Sequence, residues 1–487
     1  MTHKRLITAG GFFLAGLLVV TVAGCMTVGP DYAVPVASVP SAWNSKTGVE
    51  VTRTAGADSA SLSRWWAVFN DPVLSELVER SRTNNVDVHQ AAARLRQARA
   101  QRAWALADRM PTVAASGSAS RSRGSEETGG GSTSTIYANA LDASWELDLF
   151  GGKKREIEVA EATLQASENA LRDVLVSLVA EVALNYVDYR SYQTRLEITE
   201  TNLAAQAETY ALTCWRQQAN LVTQLDVDQA RMSLEQTRAA LPTMRTGRDQ
   251  AEHQIATLLG LAPGSVTSLL AGRHAVPVAS GEIAVGVPAE ALRRRPDVRQ
   301  AERKLAAQTA QIGVAEAERY PDLSLSGSIG LESLTGGHLY TAGARTAQGA
   351  AKAGWTLFDG GRIRQKVAVQ TALQEEKLGA YEAAILTALK DVEDALVAYA
   401  NELERRGALR DAENAGKSAF QLARAKYESG LIDFQTVLDT QKSLLTVQNT
   451  LASSDAEVTA DLIRLYKALG GGWDPQVRES ETTSEKQ

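Results

Sequence analysis

The sequence states its plan twice. Asp87, Gln90, Ala91 and Leu95 recur 210 positions later as Asp297, Gln300, Ala301 and Leu305. Arg109-Met110-Pro111 returns as Arg319-Tyr320-Pro321, and Ser116-Gly117-Ser118 as Ser326-Gly327-Ser328. Trp145, Leu147 and Gly151 return as Trp355, Leu357 and Gly361. Leu221, Ser233-Leu234 and Leu259-Gly260 return as Leu431, Ser443-Leu444 and Leu469-Gly470. One gapless offset over so many positions implies two copies of one unit, about residues 71–270 and 271–475. Whatever one half folds into, the other half must supply again.

Each unit is expected to run helix, β-hairpin, long helix pair. The hairpins fall at about 112–150 and 322–358, and the helix pairs at 152–260 and 361–470. In the first hairpin Tyr137, Asn139, Leu141, Ala143, Trp145 and Leu147 alternate with Ala138, Ala140, Asp142, Ser144 and Glu146. In the second, Leu323, Leu325, Ile329 and Leu331 alternate with Ser324, Ser326, Ser328 and Gly330. This period of two marks strands with one apolar and one polar face. Segments of about 10 residues with Trp near one end fit transmembrane β-barrel strands, and they equally fit a half-buried sheet.

The helices decide between those readings. Lys153 to Leu241 contains neither Gly nor Pro and is rich in good helix formers. Leu171, Leu175, Leu178, Val182 and Tyr186 form an apolar stripe. A helix from 153 to 219 would be about 100 Å long at 1.5 Å per residue. A rod of that length is stable only when packed along its side. The helix tips are expected near 216–228 and 426–439. Each chain then carries four strands. An open sheet edge cannot lie in lipid, so other copies must complete the wall. Two chains give eight strands, which leave no channel, and three give twelve, which do.

The N-terminus carries an address. Lys4 and Arg5 precede an apolar run that closes on Val22-Ala23-Gly24-Cys25. Residues 1–24 read as a secretory signal, and the ending resembles a lipobox whose Cys25 is acylated after cleavage. Met26 follows Cys25 where an inner-membrane retention signal would place Asp. Residues 25–70 are expected to form a lipid-anchored strap and 476–487 a disordered tail. Composition narrows the chemistry. A net charge of −6 argues against a nucleic-acid partner. Two Cys and five scattered His leave little for a metal site or a His-centred triad. No phosphate loop or nucleophile elbow appears, so neither an enzyme nor a cofactor is expected.

Longer motifs carry a family likeness. They are Cys25-Met26-Thr27-Val28-Gly29-Pro30-Asp31-Tyr32, Trp65-Trp66 with Asn70-Asp71-Pro72, and Trp145 to Gly151. Arg295 to Glu302, Gln311 to Ala315 with Tyr320-Pro321, and Phe358-Asp359-Gly360-Gly361 complete the set. Across residues 25 to about 475 the chain resembles the TolC-like outer membrane factor family, in its lipoprotein branch. The resemblance implies a mixed α/β membrane protein. Its homotrimer would form a twelve-stranded barrel, four strands per chain, in the outer membrane, continued by a long α-helical barrel through the periplasm. It implies the exit duct of a tripartite efflux pump. The partners would be a periplasmic adaptor, an inner-membrane transporter of the RND type and outer-membrane lipid.

The resemblance also implies a gate. Asp439 in Thr436-Val437-Leu438-Asp439-Thr440-Gln441-Lys442 matches a constricting carboxylate, with Thr436 where some members carry a second Asp. Gln435 and Lys442 share its helix face. Asp226 and Tyr427, the latter in Arg424-Ala425-Lys426-Tyr427, match positions that lock neighbouring tips closed. Two alternatives stay open: a lipid-anchored coiled-coil adaptor without a pore, and the channel of a type I protein secretion system.

Overall fold

The computed structural model describes residues 27–36, 39–44, 62–128, 130–272, 274–279 and 288–473. The expected signal, Cys25, part of the strap and the tail lie outside the described residues. The helices are α1 (Pro72–Asn84), α2 (Val86–Ala107), α3 (Gly152–Gln218), α4 (Gln224–Leu258), α5 (Thr267–Leu270), α6 (Pro288–Arg294), α7 (Pro296–Ala317), α8 (Arg362–Glu428) and α9 (Phe434–Ala468). The strands are β1 (Thr112–Arg123), β2 (Thr133–Leu147), β3 (Asp322–Ser333) and β4 (Arg345–Gly354). The bounds of α7, β3, α8 and α9 are those of α2, β1, α3 and α4 shifted by 210. No helix among the described residues is long and apolar enough to cross a membrane.

The halves of the sequence are not the units of the fold. Among the described residues, one compact unit takes those within 27–36, 94–168 and 300–382, and the other those within 39–93, 169–299 and 383–473. The reason is strand pairing. β2 of the first half bonds to β3 of the second, giving one antiparallel sheet in the order β1-β2-β3-β4.

The register of that sheet is unbroken. Leu141 faces Ala115 on one side and Ile329 on the other, and Ile329 faces Ala347. With no bulge, all odd-numbered strand residues share one face. That face holds Val113, Leu141, Trp145, Leu147, Leu323, Leu325, Ile329 and Leu331. The even face holds Ser116, Ser118, Asp142, Ser144, Glu146, Ser324, Ser326 and Ser328. Ser116 Oγ donates to Asp142 Oδ2 at 2.8 Å across the strands.

Two aromatic ties finish the base of the sheet. The indole N–H of Trp145 donates to Arg109 O at 2.9 Å, and that of Trp355 to Arg319 O at 3.0 Å. Each Trp thereby takes up a carbonyl just past the helix that leads into its hairpin. Phe150 and Tyr320 stack at 4.7 Å, joining the two halves there.

In the other unit the core gathers around Trp65, which is fully buried and stacked on Tyr466 at 5.4 Å. Leu74, Leu77, Tyr186, Ile255, Leu462 and Ile463 pack in the same cluster. Asp71 starts α1 by accepting from Val73 and Leu74 N–H at 2.9 and 3.0 Å, ahead of Pro72. Its second oxygen accepts the Tyr186 hydroxyl at 2.7 Å. The Asn70-Asp71-Pro72 motif is thus a helix cap that also ties α1 to α3.

Candidate functional site: the helix tips

Both helix pairs turn in the same way. Asn220 takes φ of 58° and Gly430 φ of 75°. Leu221 N–H donates to Arg216 O at 2.8 Å and Leu431 N–H to Lys426 O at 2.9 Å. These left-handed residues close the ends of α3 and α8 as expected of Gly and Asn. Thr223 and Asp226 form a reciprocal capping box at the start of α4. Asp433 starts α9, accepting the Thr436 N–H at 2.9 Å and the Thr436 hydroxyl. Those two donors, the hydroxyl foremost, hold its carboxyl below the usual carboxylate range.

The expected gate residues therefore have local duties. Asp439 is exposed and accepts from Gln435 Nε2 at 3.0 Å. It borders a cavity of about 270 Å³ with Gly416, Ala419, Thr440 and Ser443. Thr436 is spent on the Asp433 cap. Lys442 is exposed and makes no ion pair among the described residues. Arg424 donates to Glu428 at 3.1 Å.

Within one chain, Asp226 and Tyr427 do not meet. Asp226 is occupied by the Thr223 N–H at 2.8 Å and hydroxyl at 2.7 Å. Tyr427 is buried, with Arg216 4.6 Å above its ring and Phe434 5.4 Å away. Its hydroxyl has no partner among the described residues. Ala230, Ala423, Val437 and Leu438 complete this apolar plug. Within the chain, Arg216 and Phe434, and not Asp226, are what Tyr427 packs against. The missed signal was the placement of a cation in the last turn of α3 beside an aromatic in the last turn of α8.

Two further sites escaped the sequence reading. In one unit, Arg155 is 3% exposed and clamps the strap. It donates to Val28 O at 3.0 Å, Gly29 O at 3.0 Å and Asp31 Oδ1 at 2.8 Å. Gly29 is needed there, because a Cβ at that position would lie 2.3 Å from Gly313 Cα. In the other unit, Arg295 is 8% exposed and pairs with Asp297 at 2.7 Å and Asp391 at 2.9 Å. It also donates to Ala468 O at 3.1 Å. These groups edge a cavity of about 790 Å³ that also meets Asp173, Asp394, Glu457, Asp461 and Arg464. Burial raises the Asp461 carboxyl above its ordinary range, and Arg464 offsets this only in part.

The comparisons agree with this architecture. Residues 77–261 and 287–471 each match the family described as outer membrane efflux protein. The chain is 32% identical to nodulation protein T of Rhizobium leguminosarum bv. viciae over 467 residues, covering 94% of this chain and 93% of that one. It is also 32% identical to the probable efflux pump outer membrane protein TtgC of Pseudomonas putida over 485 residues, covering 99% and 98%. Among solved structures, the outer-membrane channel OprN superposes with a TM-score of 0.86 at 35% identity, covering 92% of this chain and 100% of that one. A family pattern met twice, relatives matched end to end and a shared channel fold place the chain in the outer membrane efflux protein family, as an efflux exit channel of the outer membrane.

Proposed function

We propose that three copies of the chain close one channel, with a twelve-stranded barrel in the membrane and the long helices continuing it as an α-helical barrel through the periplasm. The observation that carries this is the sheet itself. The two hairpins bond to each other, which leaves β1 and β4 as its edge strands. Unpaired edge groups in hydrocarbon cost several kcal/mol each, so β4 of one copy must meet β1 of the next. The odd face then meets lipid and the even face lines the lumen. The matching element bounds and the doubled family match support two copies of one ancestral unit.

At the periplasmic end, threefold symmetry makes Asp439 a ring of three carboxylates, a cation-favouring constriction with Gln435 beside each. The plug of Tyr427, Arg216 and Phe434 holds the tips in the closed arrangement, and Asp226 and Arg424 brace their own helices. Cys25, acylated, anchors the strap in lipid. The partners are a periplasmic adaptor and an inner-membrane RND-type transporter. TtgC is named for an efflux pump, which supports small-molecule efflux over type I protein secretion. The poreless adaptor reading has no use for a continuous sheet with its large aliphatic side chains mostly on one face and all its acids on the other.

The test uses the detergent-purified protein. Native mass spectrometry should show three chains, and a planar bilayer should show cation-preferring conductance. Asp439→Asn should move the reversal potential in a salt gradient towards zero. A monomer without conductance overturns the channel, and an unmoved reversal potential removes Asp439 from the gate.

A further inference from the structure

Charge is sorted by face in the sheet. The even face carries every acid of the four strands, Asp142, Glu146, Asp322 and Glu332, together with Lys352. The odd face carries no acid and three arginines, Arg121, Arg123 and Arg345. All three stand at the loop end, away from the helices. Arg121 and Arg123 close β1, opposite Thr135 and Thr133. Arg345 opens β4, opposite Leu331. Arg123 reaches Glu126 at 3.0 Å, whereas Arg121 and Arg345 are exposed and have no carboxylate partner among the described residues.

An arginine on a lipid-facing surface is costly at the bilayer midplane and nearly free at its interface. The spacing puts these at the interface. Arg345 lies ten residues before Trp355, and Thr135, the partner of Arg121, lies ten before Trp145. At about 3.3 Å per residue and a tilt of about 40°, ten residues span about 25 Å of barrel height. That is the height of the apolar band of such barrels. With the Trp pair at one water boundary, Arg121 and Arg345 reach the other. Between them the odd face offers mostly apolar or small side chains such as Leu141, Ala143, Ile329 and Ala347, with Tyr137 and the amide of Asn139, which donates to the Tyr340 hydroxyl at 3.2 Å, towards the loop end.

We infer that Arg121 and Arg345, with Arg123 alongside, form a docking surface for the phosphate-bearing glycolipid of the outer leaflet. This rests on the channel reading, in which the odd face meets lipid. Phosphate fits because the planar guanidinium binds it through two parallel hydrogen bonds, and because the apolar band below takes the acyl chains of the same molecule. The opposite sign on the even face keeps such anions off the lumen wall.

The experiment reads lipid binding and conductance on the same preparations. Full-length trimers are placed in nanodiscs of zwitterionic phospholipid with radiolabelled lipid A, and the bound fraction is titrated. The Arg121→Ser/Arg345→Ser variant should bind about tenfold more weakly, with unchanged single-channel conductance. Lys352→Ser, on the other face, should bind as the wild type does. Dephosphorylated lipid A and phosphatidylglycerol should compete poorly. Equal binding by the double variant, an equal loss in Lys352→Ser, or full competition by either lipid overturns the inference. A wild-type protein that conducts but fails these arms refutes the docking surface alone, and one that does not conduct refutes the channel reading beneath it.

Discussion

Two buried arginines show how single side chains organise this protein. Arg155 holds two strap carbonyls and Asp31, so Arg155→Met leaves those acceptors without donors. Hydrogen bonds to charged groups are worth about 1.5–3 kcal/mol each. We expect residues 27–36 to become protease-sensitive, by about 3 kcal/mol of lost local stability, and limited proteolysis read by mass spectrometry checks it. Arg295 has a counterpart of different chemistry. Asn85, 210 positions earlier, donates to Leu258 O at 2.9 Å, just as Arg295 donates to Ala468 O. The repeat made the positions visible, but the shared task of capping a return helix emerged only in three dimensions. Asp461 carries the clearest pH signature at this scale. Its raised pKa means that the folded state binds the proton more tightly than the unfolded chain, so its charge costs stability at neutral pH. That cost fades as pH falls through the raised value. Asp461→Asn should therefore unfold at a higher temperature than the wild type at pH 7, and the gap should shrink on acidification. An equal or lower melting temperature at pH 7 would count against it. Asp433 has the opposite sign: its depressed pKa gives stability above the ordinary carboxylate value, lost as pH falls through the folded one.

At the scale of elements, helix ends and strand faces followed local rules. The absence of Gly and Pro from 153 to 241 placed α3 and the start of α4, because backbone propensity accumulates over so long a run. Asn220 takes the left-handed turn for the same local reason. The tip lock was less legible, because a carboxylate three residues past a Thr is also a capping box, and that contact needs no partner helix. Asp226 went to the cap. Tyr427 went to the Arg216–Phe434 plug, with its hydroxyl buried and unbonded among the described residues. Tyr427→Phe should thus leave the plug intact or slightly firmer, since removing an unsatisfied buried group relieves its desolvation cost. Hydrogen exchange at the tips checks this. Faster exchange in the Phe variant would mean that a neighbouring chain satisfies the hydroxyl.

Over the whole molecule, the telling pairing is β2 with β3, between strands from different halves. Leu141 and Ile329 face each other there, and directly opposed antiparallel residues are within disulfide reach. A chain carrying Leu141→Cys and Ile329→Cys should oxidise to an intrachain disulfide, seen as a mobility shift on non-reducing gels that reductant reverses. Cross-linked dimers instead would mean that the hairpins pair between chains.

The amino-acid sequence alone determined the duplicated plan, the long helices, the alternating strands and the family. All of these depend on periodicity and composition, which are properties of neighbours along the chain. Only the tertiary structure decided which hairpin bonds to which, where Arg155 and Arg295 are spent, and that Asp226 caps its own helix. Those outcomes come from competition among partners distant in sequence, settled by which buried polar groups find a donor or acceptor first at hand.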